Sequence, residues 1–297
     1  MSTDLRHVRF GTSSWAYEGW QGLVYRRTYP KSRFSQDTLA EYAGYAVDGA
    51  PLFSTVGIDH SLYRPASASQ LAHYAEQVPD HFRFCSKVWE EITIPAYANL
   101  PRYGAKTGKP NPRFLDAGAF RELVLAPAQE GLRTKLGPFI FEFQRWGIEP
   151  ATFLDALDRF LDTLPSGPQY ATEVRNPAIL GSRYLDILRT HQVSHVYNHW
   201  TAMPPLSDQH RLLEQTFTAP LVVIRLLTPL GLAYEKAVER YAPYDRIIAA
   251  QPRMRQDTTA LVQQVVAQGK SAYVLVNNRA EGCSPLTIQA LVAGLKS

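Results

Sequence analysis

QYATEVRNP, residues 169–177, reads as a buried strand that runs into a turn. Side chains alternate along a strand, so Glu173 and Arg175 fall on one face of it. Two ionisable groups aimed inward are costly unless paired or used, which makes this segment a stronger mark of a site than a surface charge run.

Similar β-rich runs lie on either side. HVRF at 7–10, LFSTVGI at 52–58, HFRFCSKV at 81–88 and GPFIFEF at 137–143 precede it, and VSHVYN at 193–198, PLVVIRLL at 220–227 and AYVLVNN at 272–278 follow. With YATEVR at 170–175 this makes eight strands, separated by helical patterns, which is the arithmetic of an α/β fold of the TIM type, a (β/α)8 barrel. The expected organisation is one barrel domain over residues 1–297.

The helices between carry start and stop signals. Ser67 and Gln70 resemble a capping box, and Pro79 closes that helix. Thr152 and Asp155 form the same pattern before an apolar stripe of Phe153, Leu157, Phe160, Leu161 and Leu164. Ser284 and Pro285 open the last helix, whose stripe is Ile288, Leu291, Val292 and Leu295. These stripes are core.

One region breaks the alternation. PAYANLPRYGAKTGKPNPR, residues 95–113, holds Arg102, Lys106, Lys109 and Arg113 and no acid, so it reads as a long basic loop after the third strand. It is either a solvated insertion or a grip for an anion at the barrel rim.

Composition sets bounds. A chain of 297 residues with 31 basic and 27 acidic side chains carries +4, a mild excess that permits an anionic ligand without requiring one. Cys85 and Cys283 lack metal-like spacing and read as free thiols. No leader pattern and no apolar run near the ~20 residues of a membrane span is evident, so a soluble, reducing, cytoplasmic setting without a membrane partner is expected.

Five separated motifs then carry a resemblance: FGTSSWAYEGWQGLVY at 10–25, FSTVGIDHSLYRPAS at 53–67, FRFCSKVWEEIT at 82–93, ATEVRNP at 171–177 and VNNRAEGCSP at 276–285. Together, in this order, the chain resembles the domain of unknown function 72 family, the YecE-like proteins, which are TIM-type barrels. The resemblance spans nearly the whole chain. It departs from the family at Gly57, where a glutamate is usual, at Asp59 in place of asparagine, at Ile94 in place of histidine, and at Glu142, Phe143, Gln144 and Arg145 in place of a glutamine and a proline pair. Asp59 or Glu142 is the candidate to supply the missing carboxylate. The family has no settled activity, so the resemblance implies the fold more than the function.

On a parallel barrel, active groups sit at the C-terminal strand ends. Taken strand by strand, these are Ser13, Trp15, Tyr17 and Trp20; Asp59, His60 and Tyr63; Lys87; Glu142 and Gln144; Glu173, Arg175 and Asn176; His195, Tyr197, Asn198 and His199; Arg225; and Asn277, Asn278 and Arg279. The set suits a polar or anionic ligand with a flat ring or sugar face against Trp or Tyr. Glu173, with Asp59 and Lys87, is expected to carry the chemistry. Trp15, Tyr17, Trp20, Tyr63, Arg175, Arg225, Asn277 and Asn278 are expected to hold the ligand. Each has a structural alternative: an interior ion pair for Glu173 and Arg175, a carboxylate partner such as Asp59 or Glu173 for Lys87, a turn for the two asparagines. Of Asn277 and Asn278, the first is expected to point inward.

His60, His195 and His199 with Asp59, Glu142 and Glu173 offer dispersed metal ligands, but no HxH or HExxH spacing supports a site. No cofactor fingerprint, phosphate loop or G-x-S-x-G elbow is present. The expected function is an enzyme, of hydrolase, lyase or isomerase type, acting on a polar or anionic small molecule by carboxylate acid–base chemistry. Two alternatives stand beside it: a nucleic-acid binding or repair barrel using the basic loop, and a non-catalytic ligand-binding barrel.

Overall fold

The computed structural model describes residues 3–296. Eight parallel strands form its sheet: β1 (Val8–Thr12), β2 (Thr55–Ile58), β3 (Arg83–Lys87), β4 (Leu136–Phe143), β5 (Tyr170–Val174), β6 (Ser194–His199), β7 (Leu221–Leu226) and β8 (Ser271–Val276). The ladder runs β1-β8-β7-β6-β5-β4-β3-β2, so every strand but the first is beside its neighbour in sequence. Each of the eight expected runs overlaps one strand. Arg175 falls one residue beyond its strand rather than within it.

The helices that surround the sheet are α1 (Leu39–Ala43), α2 (Ala68–Glu76), α3 (Ala126–Leu132), α4 (Pro150–Asp162), α5 (Ser182–Thr190), α6 (Leu206–Leu212), α7 (Tyr234–Tyr241), α8 (Pro252–Ala267) and α9 (Ser284–Lys296). Ser67 caps α2 through the amide of Gln70 at 3.2 Å. The cap expected at Thr152 and Asp155 is corrected: α4 begins at Pro150, and the Glu149 carboxylate accepts from the amides of Ala151 and Thr152. Proline at the first helical position lacks an amide to satisfy, which moves the start three residues upstream.

β1 and β2 meet without a ladder of their own. A Cβ on Gly11 would lie 1.9 Å from the Thr55 carbonyl oxygen, and one on Gly57 would lie 2.7 Å from that of Ser13. Glycine therefore lets the two backbones touch. Tyr42 of α1 fills the gap between them. Its hydroxyl lies 3.0 Å from the Thr12 amide, 2.8 Å from Thr12 Oγ1 and 3.3 Å from the Thr55 carbonyl. Gly57 is thus part of a seam, and a glutamate there would force the strands apart.

The barrel interior is layered. Cys85, Ile140, Ala171, Val196, Val223 and Leu275 form a buried apolar cluster with Leu221 and Tyr273. Two residues further along the same strands stand Lys87, Glu142, Glu173, Asn198, Arg225 and Asn277, all buried. Alternation carries both layers inward, and the second lies at the C-terminal end.

The segment 95–113 is more ordered than expected. It contains a short 3-10 stretch over Pro101–Lys106 and an antiparallel bridge between Ala96 and Pro110.

Candidate functional site

A cavity of about 670 Å³ opens at the C-terminal ends of the strands. Its floor is the charged layer. Arg225, 1% exposed, comes from β7. It meets Glu173 of β5 in a close ion pair, Glu142 of β4 at 3.2 Å and Asp59, just past β2, at 3.3 Å. Lys87 of β3 lies 2.6 Å from Glu142 Oε2, and Arg175 lies 2.8 Å from the same oxygen. Arg175 also reaches Glu173 at 3.0 Å. Gln144 Nε2 donates to the other Glu142 oxygen at 2.6 Å.

Three cations and two carboxylates, Glu142 and Glu173, are thus locked together largely out of water, with Asp59 at the exposed edge of the set. Breaking such a set by removing one member leaves an uncompensated buried charge, and that is what holds its geometry. Burial works to raise the Glu142 carboxyl, but Arg175, Lys87 and Arg225 hold it well below the usual carboxylate range. Burial likewise works against the Arg225 charge, and Glu173, Asp59 and Glu142 overcome it, leaving the guanidinium more basic than usual. Glu142 therefore stays ionised and has no proton to give. Asp59 differs from the two glutamates: its side chain is 29% exposed and contacts Arg225 only at 3.3 and 3.4 Å.

The walls come from the loops. Tyr63, Arg102, Tyr103, Trp146, Trp200, Tyr234 and Arg279 line the cavity, together with His60, Asn277 and Thr228. Arg175 packs over Trp200 at 4.9 Å, Arg279 over Tyr234 at 4.5 Å, and Arg102 over Tyr103 at 4.7 Å and Tyr63 at 5.5 Å. Burial lowers the His60 imidazole, which favours its neutral form.

The sequence candidates divide. Asp59, Tyr63, Lys87, Arg175, Arg225 and Asn277 all line this cavity. Glu173 does not: it is fully buried beneath it, with its oxygens engaged by Arg175 and Arg225. The pairing expected for Lys87 is corrected, because its partner is Glu142 and not Asp59 or Glu173.

Trp15, Trp20 and Asn278 also lie outside the lining. Trp15 Nε1 donates to the Ser35 carbonyl at 2.8 Å, under the segment that follows β1. Trp20 is fully buried and donates to Asn278 Oδ1 at 3.2 Å. Asn278 Oδ1 also accepts from the Ser284 amide and hydroxyl at 2.8 Å each, which ties the end of β8 to α9. Tyr17 is half-buried between Trp20 and Tyr244, and burial pushes its hydroxyl up to about 12. These rings are occupied by core contacts.

His195 and His199 project from the outer side of β6. His195 lies 3.1 Å from the Tyr184 hydroxyl on α5 and 3.3 Å from Gln209 on α6, and burial pushes it down to about 4. Burial sets His199 at about 4 as well. Among the described residues, no group of three or more His, Cys, Asp or Glu is placed to hold a metal ion.

The sequence reading missed Tyr103, Trp146, Trp200 and Tyr234. Trp200 directly follows β6, and Trp146 lies three residues past β4. Their position after strand ends was the available signal. The basic loop turns out to be largely neutralised. Arg102 pairs with Glu90 at 2.9 Å, Lys106 with Glu91 at 2.7 Å and Arg113 with Glu91 at 3.4 Å. Both acids precede the loop in WEEIT, so a count of charges within the loop overlooked them.

Solved structures share this architecture. A DUF72 family protein from Thermotoga maritima MSB8 is 16% identical, with a TM-score of 0.66 over 98% of this chain and 99% of that one. A DUF72 family protein from Enterococcus faecalis V583 is 17% identical, with a TM-score of 0.62 over 96% of this chain and 95% of that one. At such identities the likeness shows the fold alone. Among curated proteins no match is found. The family profile described as "Protein of unknown function DUF72" matches residues 9–297, and with that extent of match the chain belongs to the DUF72 family.

Proposed function

We propose that the C-terminal cavity binds a polar or anionic small molecule and acts on it by carboxylate acid–base chemistry. The observation that carries this reading is the convergence of charged side chains from five strand ends, β2, β3, β4, β5 and β7, on one cavity with a water-excluded floor. A buried polar set of this cost, placed at the catalytic end of a barrel, is better accounted for by chemistry than by stability.

Roles follow from exposure. Asp59 is the carboxylate that can both touch ligand and exchange a proton. Glu142, held ionised, offers fixed negative charge. Lys87, Arg175 and Arg225 stabilise charge that develops on the ligand, and Asn277 orients it. Glu173 positions the two arginines.

A thermal-shift screen of polar metabolites tests the binding, since a ligand that binds only the folded state raises Tm. Turnover of any hit by the parent and by Asp59→Asn tests the chemistry. Equal rates would remove Asp59 from the role of acid or base. The nucleic-acid reading has less support, because three of the four loop cations already hold carboxylates. It would require affinity that falls steeply with salt.

A further inference from the structure

We infer that the ligand of this cavity is a neutral hydroxylated ring of the sugar class, stacked by its C–H face on Trp146, with its hydroxyls turned to the charged floor. This rests on the reading of the cavity as a small-molecule site and narrows the ligand it takes.

The first observation is where apolar surface is left in water. Six large hydrophobic side chains are exposed among the described residues: Tyr63, Leu100, Trp146, Leu212, Tyr234 and Ile248. Four of them, Tyr63, Leu100, Trp146 and Tyr234, line this one cavity. Apolar surface gathered at a polar pocket marks a ligand that presents an apolar face.

Trp146 stands apart within that group. Arginines already pack on Tyr63, Tyr103, Trp200 and Tyr234. Among the described residues no ring or cation packs on the Trp146 indole, which is 39% exposed. It sits two residues past Gln144, whose amide reaches the floor.

Charge decides between a neutral and an anionic ring. The lining holds five cations, Lys87, Arg102, Arg175, Arg225 and Arg279, and four carboxylates, Asp59, Glu90, Glu142 and Glu235, with Glu173 directly beneath. A doubly ionised phosphate only accepts hydrogen bonds, and it would meet repulsion from each of these carboxylates. A hydroxyl both donates and accepts. It can give to Asp59 and take from Lys87, Arg225 or the Asn277 amide without unbalancing the network.

Isothermal titration calorimetry on the full chain tests this. The probes are neutral methyl pyranosides and disaccharides, the same sugars phosphorylated at the primary hydroxyl, and nucleoside monophosphates, each at low and high salt. The expected result is binding of a neutral sugar with salt-insensitive affinity, weakened about tenfold in Trp146→Ala and largely restored in Trp146→Phe. The exposure of Trp146 makes both variants compatible with folding, and circular dichroism checks it. Tighter, salt-sensitive binding of the phosphorylated form overturns the sugar inference and leaves the small-molecule function standing. A neutral sugar that binds Trp146→Ala as it binds the parent overturns the stacking. Binding by none of the probes overturns the sugar inference, and a hit from the wider metabolite screen would then show that the cavity reading survives it.

Discussion

Ile140 and Glu142, Ala171 and Glu173, Val196 and Asn198, Val223 and Arg225, and Leu275 and Asn277 are pairs two residues apart on the same strands, and between them the barrel interior changes character. The first of each pair belongs to a dry apolar cluster, the second to a buried polar layer. Backbone geometry is the same in both. The apolar layer is stabilised by burial at about 25 cal/mol per Å² and by close packing. The ionic layer gains little net stability, because desolvation offsets most of the Coulomb attraction. A barrel selected for stability alone would continue the apolar pattern to its end, and this change of layer is what supports the proposed function.

The largest break in this comparison is expected from Arg225→Ala. Removing one guanidinium leaves Glu173 and Glu142 with an uncompensated charge, and denaturant unfolding should show a loss of about 4 kcal/mol. A loss under about 1 kcal/mol would mean that water or Lys87 and Arg175 already satisfy the floor.

Acid should separate the charged interior from the neutral polar exterior. His195, on the outer face of β6, is pushed down from 6.5 to about 4 by burial. A group depressed in the folded state contributes its stability above the unfolded value and loses it as pH falls. Stability should therefore decline from pH 6.5 towards about 4, by roughly 3 kcal/mol for this group. His195→Gln should make that decline shallower in a denaturation series across pH, with the remainder left to His199, which burial depresses in the same way. Glu142, held lower still by Arg175, Lys87 and Arg225, should keep its contribution throughout that stretch and lose it only below the ordinary carboxylate range.

In the apolar layer, Ile140→Val should cost about 1 kcal/mol and leave ligand affinity unchanged. An altered affinity would show that the two layers are coupled. The smallest effect on stability is expected at Asp59. Half-open and loosely held, it should lose no more than about 0.5 kcal/mol as Asp59→Asn in the same unfolding assay, whatever happens to turnover. A large loss would move Asp59 into the structural network with Glu173.

Much of the site was legible. Strand phase follows from alternation, so Lys87, Arg175, Arg225 and Asn277 could be assigned to the interior at strand ends. The aromatics were not legible in the same way. Trp15 and Trp146 both follow a strand, yet one is covered by the segment that contains Ser35 and the other is open. That difference depends on how long connections fold back, which no local pattern encodes. The loop at 95–113 failed for a related reason, since its charges are neutralised by Glu90 and Glu91, which precede it.

By itself, the sequence determined the number and order of the strands, their inward faces and the presence of charge at one end, because these depend on periodicities of two and 3.6 residues within short windows. The tertiary structure alone decided which charge meets which. Arg225 and Asp59 are 166 residues apart in the chain and share a hydrogen bond. Closing the sheet brings them together, and burial then makes Asp59 the accessible carboxylate and Glu173 the enclosed one.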